Sequence, residues 1–155
     1  MESIKPLLEK ASLATTAARG LSDEKKGLIL NSLAEKLRGN VDFIVSENKR
    51  DLEKMPDSDP KKDRLLLSES RIMDLAQSVE QISSLSDPAG HLQYENTLAN
   101  GLSVKKITVP LGVVGIIYES RPNVTVDVAA LCIRSGNVCV LRGGTDALYT
   151  NTALV

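Results

Sequence analysis

Apolar residues recur at helical spacing through the first half of the chain and run together in the second. Leu7, Leu8, Ala11, Ala14, Ala17 and Ala18 lie close to a 3.6-residue period, predicting a helix over 4–19 that Gly20 stops. Ser22 reads as the N-cap of a second helix, with Asp23 and Glu24 at the positive end of its dipole. Its predicted buried stripe is Leu28, Ile29, Leu33 and Leu37, and Gly39-Asn40 ends it. Val41, Ile44, Val45, Asn48 and Leu52 mark one face of a third helix over 41–55. Asn48 is the polar member of that face and is expected to be a cap or a satisfied interior amide rather than a ligand. Residues 55–62 are rich in Pro and Asp and read as an exposed loop. A fourth helix, from Ser68 or Glu69 to Ser83, buries Ile72, Leu75, Ala76, Val79 and Ile82. Asp87-Pro88-Ala89-Gly90 is a turn by composition, and the lone His91 after it reads as an exposed loop residue.

Beyond His91 the period changes. Asn100-Gly101 is a hairpin turn signal between arms 92–98 and 102–109, which alternate imperfectly and predict one wet face. An isolated hairpin is marginal in water, so this one should pack on something outside itself. An apolar run, 113–118, follows with Gly115 inside it. Then come the polar hinge Glu119-Ser120-Arg121-Pro122-Asn123, an apolar helix-like run over 124–134, the stop Ser135-Gly136-Asn137, a second strand over 138–141, and Arg142-Gly143-Gly144. Continuous apolar strands suit a parallel sheet covered on both faces. The fold class is therefore α/β, with helices and a hairpin leading into one strand–helix–strand unit.

Ligands of such sheets bind at the carboxyl ends of the strands, here 118–123 and 142–145. Arg121 offers a planar fork for a carboxylate or phosphate, and Asn123 sits at a plausible N-cap. The blander reading is that Glu119 pairs with Arg121 and Asn123 only caps. Gly143-Gly144 lets backbone N–H groups approach a ligand, and Arg142 could meet a ribose or phosphate. A tight glycine turn is the equally weighted alternative.

Composition narrows the classes. At 155 residues and 42% hydrophobic, the chain is the size of one domain with a sizeable core. Nineteen basic against 20 acidic residues give no electrostatic reason for nucleic acid or an anionic membrane as partner. No run reaches the roughly eighteen apolar residues of a membrane span, and residues 1–12 lack a signal core, so a cytoplasmic location is expected. Cys132 and Cys139 match no metal spacing and read as small buried thiols; no metal site is expected. The fingerprint G-x-G-x-x-G, a Walker loop and a G-x-S-x-G elbow are absent. Ala153-Leu154-Val155 falls inside an amphipathic helix beginning near Thr145, which predicts that the natural protein continues.

Residues 109–127, VPLGVVGIIYESRPNVTVD, resemble the signature of the γ-glutamyl phosphate reductase family in the aldehyde dehydrogenase superfamily. Ser135-Gly136-Asn137, Leu141-Arg142-Gly143-Gly144 and Asn151 continue the likeness. Upstream, Asn48, Asp51-Leu52, Asp63-Arg64-Leu65, Asp87-Pro88, Gly90 and Asn100-Gly101-Leu102 follow in order. Thr145-Asp146-Ala147 replaces a more usual Lys-Glu-Ala, which weakens an adenosine-ribose role for Thr145, and Arg134 stands where Lys is common.

The resemblance implies the N-terminal part of a Rossmann-like NADP-binding domain spanning 1–155, with the hairpin over about 92–109 as an oligomerisation arm. The catalytic domain and its nucleophilic cysteine would lie beyond this chain, leaving no catalytic residue within it. The implied reaction is NADPH-dependent reduction of γ-glutamyl phosphate to glutamate-5-semialdehyde and phosphate, in proline biosynthesis. Ser120, Arg121 and Asn123 would contact the substrate. Glu119, Arg142, Gly143, Gly144 and Thr145 would contact NADP. A homo-oligomer is implied, with glutamate 5-kinase as a candidate partner. The alternative is a non-catalytic nucleotide-binding or assembly module of the same fold; the match over 118–127 speaks against a third reading, a dehydrogenase for a different acyl phosphate or aldehyde.

Overall fold

Five helices precede the first strand in a computed structural model that describes residues 3–119 and 121–155. They are α1 (Lys5–Arg19), α2 (Asp23–Gly39), α3 (Val41–Leu52), the single turn α4 (Lys62–Leu65) and α5 (Glu69–Ser84). Ser22 is the expected cap, its Oγ accepting the Lys25 N–H, and Ser68 caps α5 in the same way, its Oγ accepting the Arg71 N–H. On α5 the predicted stripe is buried in full, Ile72, Leu75, Ala76, Val79 and Ile82.

The stripe of α2 is corrected. Its buried residues are Lys26, Leu30, Ala34 and Leu37, whereas Leu28 is 62% exposed and Ile29 is also exposed. Lys26 is the physical reason. Its ammonium is buried against Asp87 Oδ2 at 2.5 Å, so a cation occupies the first position of the inward face. Leu30, Ala34 and Leu37 meet Ile44 of α3, the α5 stripe, and Val126 and Ala130 in one core. Arg38 clamps α2 to α5 through a two-pronged bond to Glu80, at 2.5 and 2.7 Å. Helix α3 ends at Leu52, earlier than the pattern suggested, and α1 buries only Ala11 completely.

The hairpin forms from β1 (Leu92–Thr97) and β2 (Ser103–Ile107), antiparallel, with Thr97 opposite Ser103. The Leu98 N–H reaches the Leu102 carbonyl, which leaves a three-residue loop with Gly101 at φ 86°. Both faces of both strands are exposed, rather than one wet face alone.

β3 (Val113–Ile117), α6 (Asn123–Arg134) and β4 (Val138–Arg142) form the predicted unit, with β3 and β4 parallel and Val113 opposite Val138. Helix α6 stops where Gly136 takes φ 69°; a Cβ there would press on Pro110 and the Lys26 ammonium. One face of β3 is open, with Ile117 87% exposed, so the covering expected of a continuous apolar strand is not supplied by this chain. A 3-10 turn (Thr145–Ala147) and α7 (Leu148–Ala153) follow β4. No helix among the described residues is long and apolar enough to cross a membrane.

Candidate functional site

Parallel pairing brings the carboxyl ends of β3 and β4 side by side, because the Tyr118 N–H donates to the Arg142 carbonyl at 3.1 Å. The two predicted loops are therefore neighbours. A chain of hydrogen bonds locks them together. Tyr118 Oη and Thr125 Oγ1 lie 2.6 Å apart, and Thr125 Oγ1 donates to Asn151 Oδ1 at 2.9 Å. The end of β3, the first turn of α6 and helix α7 thus share one buried threonine.

Gly143 belongs to the same cluster. A Cβ at this position would collide with Asn151 Nδ2 and come within 3.0 Å of Tyr118 Oη. Packing against Tyr118 and Asn151 favours a glycine here, since any Cβ would have to displace their side chains. The exposed Arg142 guanidinium folds back onto the Gly143 carbonyl. Gly144 is extended and starts the 3-10 turn that contains Thr145. A cleft of about 340 Å³ opens here between Tyr118, Leu141, Gly143, Asn151 and Thr152. It lies at the carboxyl ends of two parallel strands, where ligands of such sheets bind.

Helix α7 is held from below by α3. The buried Asp51 accepts the N–H groups of Tyr149 (3.2 Å) and Thr150 (2.7 Å) and the Thr150 hydroxyl (2.7 Å). Asn48 is the satisfied amide expected of it. It donates to the Leu65 carbonyl and Thr150 Oγ1 and accepts the Leu67 N–H.

The hinge differs from expectation at Asn123. Pro122 is the N-cap residue, and the Asn123 side chain donates to Asp127 Oδ2 at 3.1 Å, one turn further along. Asn123 therefore positions a carboxyl group instead of capping. Burial pushes the Asp127 carboxyl above its ordinary value, and its bonds to Asn123 and Ser78 only partly offset this. No ion pair between Glu119 and Arg121 occurs among the described residues, and both side chains are exposed. The Ser120 expectation lies outside the described residues.

The thiols behave as core atoms. Burial, with the neighbouring Cys139, pushes Cys132 up to about 11, and burial raises Cys139 as well. A nucleophilic cysteine needs the opposite environment. Tyr118, Thr125, Asp127 and Asn151 are the positions that sequence reasoning left without a role. Only their presence in or near the signature marked them.

No family model matches the chain. It is 51% identical to a γ-glutamyl phosphate reductase of Chlorobium phaeobacteroides over 154 residues, 99% of this chain and 37% of that protein. The crystal structure of γ-glutamyl phosphate reductase from Thermotoga maritima superposes with a TM-score of 0.92 at 35% identity, over 99% of this chain and 38% of that one. A probable aldehyde dehydrogenase from Listeria monocytogenes shares the fold, with a TM-score of 0.68 at 15% identity, over 98% of this chain and 31% of that one. The chain thus spans little more than a third of the length of the relatives it matches.

Proposed function

We propose that this chain, whose sequence and fold are those of the N-terminal portion of γ-glutamyl phosphate reductases, supplies half of such a reductase's active site. The observation that carries the reading is 51% identity across 99% of the chain. The reaction reduces γ-glutamyl phosphate to glutamate-5-semialdehyde and phosphate, in the cytoplasm, on the way to proline. NADPH, when bound, supplies the hydride.

The residues here bind and orient. Arg142 meets the ribose or its 2′-phosphate, where positive charge favours NADP over NAD. Gly143 and Gly144 keep the loop free of side chains, while Thr145 and Glu119 border the same edge. Arg121, with Ser120, faces the substrate's anionic groups. Asn123 serves the substrate through Asp127, which it holds. The nucleophile that the resemblance calls for belongs to the part of the relatives this chain does not span, since Cys132 and Cys139 are core thiols. The hairpin, exposed on both faces, acts as the arm joining subunits, and glutamate 5-kinase is the candidate donor of the labile acyl phosphate.

The test is to express the full-length gene product and follow NADP reduction with glutamate-5-semialdehyde and phosphate, the reverse direction. Phosphate-dependent turnover is expected. A folded product that binds NADP yet shows no turnover would favour the non-catalytic module.

A further inference from the structure

A second cleft, about 390 Å³, lies between the α4–α5 segment and the first turns of α6. That is within the usual range for small-molecule sites, about 300–1,000 Å³. Arg64, Arg71, Asp74, Ser78, Arg121 and Asp127 line it. Their commitments differ. Arg71 is fully engaged, donating to Asp63 Oδ1 and to the carbonyls of Asp63 and Leu66. The guanidinium groups of Arg64 and Arg121 take part in no hydrogen bond or ion pair among the described residues. Both also border a small recess, with Lys61, Tyr118 and Glu119, that leads to the end of β3. Asp127, partly buried, lines the same cleft and accepts the Asn123 side-chain amide.

A bare anion site would not be lined with Asp74 and Asp127. A cation site would not place two uncommitted guanidinium groups beside them. Two free guanidinium groups and two carboxyl groups lining one cleft complement a zwitterion. We infer that this cleft takes the α-amino-acid end of the substrate: Arg64 and Arg121 bind the α-carboxylate and Asp127 binds the α-ammonium group. The γ-acyl end then reaches through the recess towards the end of β3 and the loop after β4. The inference rests on the reductase reading above for the identity of the substrate. It adds α4, α5 and the second turn of α6 to the site. Desolvation of Asp127 has a role here, because a partly buried carboxylate gains most from a cation brought to it.

Three probes separate the two charges: L-glutamate, glutarate (no ammonium group) and 4-aminobutyrate (no α-carboxylate). Their binding to the full-length gene product is measured by isothermal titration. Wild type should bind L-glutamate most tightly. Arg64→Gln should weaken L-glutamate and glutarate about ten- to a hundredfold, the worth of one charge-assisted hydrogen bond, and leave 4-aminobutyrate unchanged. Asp127→Asn should weaken L-glutamate and 4-aminobutyrate and leave glutarate unchanged.

Arg64 is exposed and Asn is isosteric with Asp, so both variants should fold; circular dichroism checks this. The inference is overturned if wild type shows no saturable L-glutamate binding. It is equally overturned if the variants bind all three probes like wild type, or lose all three together. Failure of the reductase reading looks different: the crossed binding pattern appears, but wild type turns over no semialdehyde.

Discussion

Replacing Asp51 tests how the loop after β4 is held in place. Its carboxyl group accepts two of the N–H groups that the start of α7 leaves without helical partners, and the Thr150 hydroxyl. It therefore caps α7 from another helix. Asp51→Asn keeps the shape but turns one acceptor oxygen into a donor. The least damaging orientation puts the amide nitrogen at the Oδ1 position, so that only the Tyr149 N–H loses its partner. One part-buried orphaned donor costs about 1–3 kcal/mol. Asp51→Ala orphans all three donors and leaves a void, for roughly 3–5 kcal/mol.

Thr150→Val removes the hydroxyl alone. It leaves Asn48 Nδ2 with the Leu65 carbonyl, and should cost about 1–3 kcal/mol. Denaturant unfolding of the gene product, followed by far-ultraviolet circular dichroism because the chain has no Trp, gives these differences directly. The ordering expected is Asp51→Ala below Asp51→Asn below wild type. If Asp51→Ala lies within about 0.5 kcal/mol of wild type, as a surface substitution would, the capping argument is wrong. Because α7 carries Asn151 and backs Gly143, Asp51→Asn should also raise KM for NADP.

The buried Lys26–Asp87 pair should respond asymmetrically. Asp87→Asn strands a fully buried ammonium, at about 3–5 kcal/mol, whereas Lys26→Met strands a carboxylate that is 23% exposed and keeps the Ala89 N–H, and should cost less; equal losses in thermal melts would contradict this. In acid the same pair should weaken. Burial pushes Asp87 up, but the Lys26 bond, the Ala89 N–H and the Lys26 and Arg134 charges outweigh it and hold the carboxyl below its ordinary value. Its contribution is therefore present above about pH 3.9 and lost as pH falls through the lower folded value, which melts of wild type and Lys26→Met across that range would show. Asp127 has the opposite sign. Its folded value is raised, so the folded form holds more protons just above about pH 3.9 and stability falls as pH rises there. Asp127→Asn should escape that loss and melt higher than wild type near neutral pH; a lower melt there counts against it. Cys132, pushed up to about 11, should be about a thousandth thiolate at about pH 8 and resist iodoacetamide until the protein is unfolded. Rapid native labelling would show the thiol is accessible after all.

Where local pattern and packing agree, the sequence was readable. The α5 stripe, the strand–helix–strand unit and the hairpin all follow from period and turn chemistry. The α2 face was misread because a lysine belongs to it. Nothing near position 26 announces a carboxylate 61 residues away, so hydropathy shifted the stripe towards Leu28 and Ile29. Asn123 was misassigned for a related reason. Pro122 already occupies the capping position, which frees the amide for Asp127. The two strand-end loops were legible as a site because topology fixes where they lie. The cleft lined by Arg64 and Asp127 was not, since they stand 63 positions apart in sequence and come to one cleft only through the fold.

The bond from Asp51 to Thr150 closes a loop of 99 residues, and that from Arg134 to Asp23 one of 111. Synthesis runs at about 5–20 residues per second, so Asp51 waits roughly 5–20 s on the ribosome before its partner exists. Through that interval the first helices carry Lys26 and Asp51 on faces destined for burial, solvated and uncompensated. A charge buried without its partner is costly, so these faces gain from burial only once residues 87 and 150 have been made.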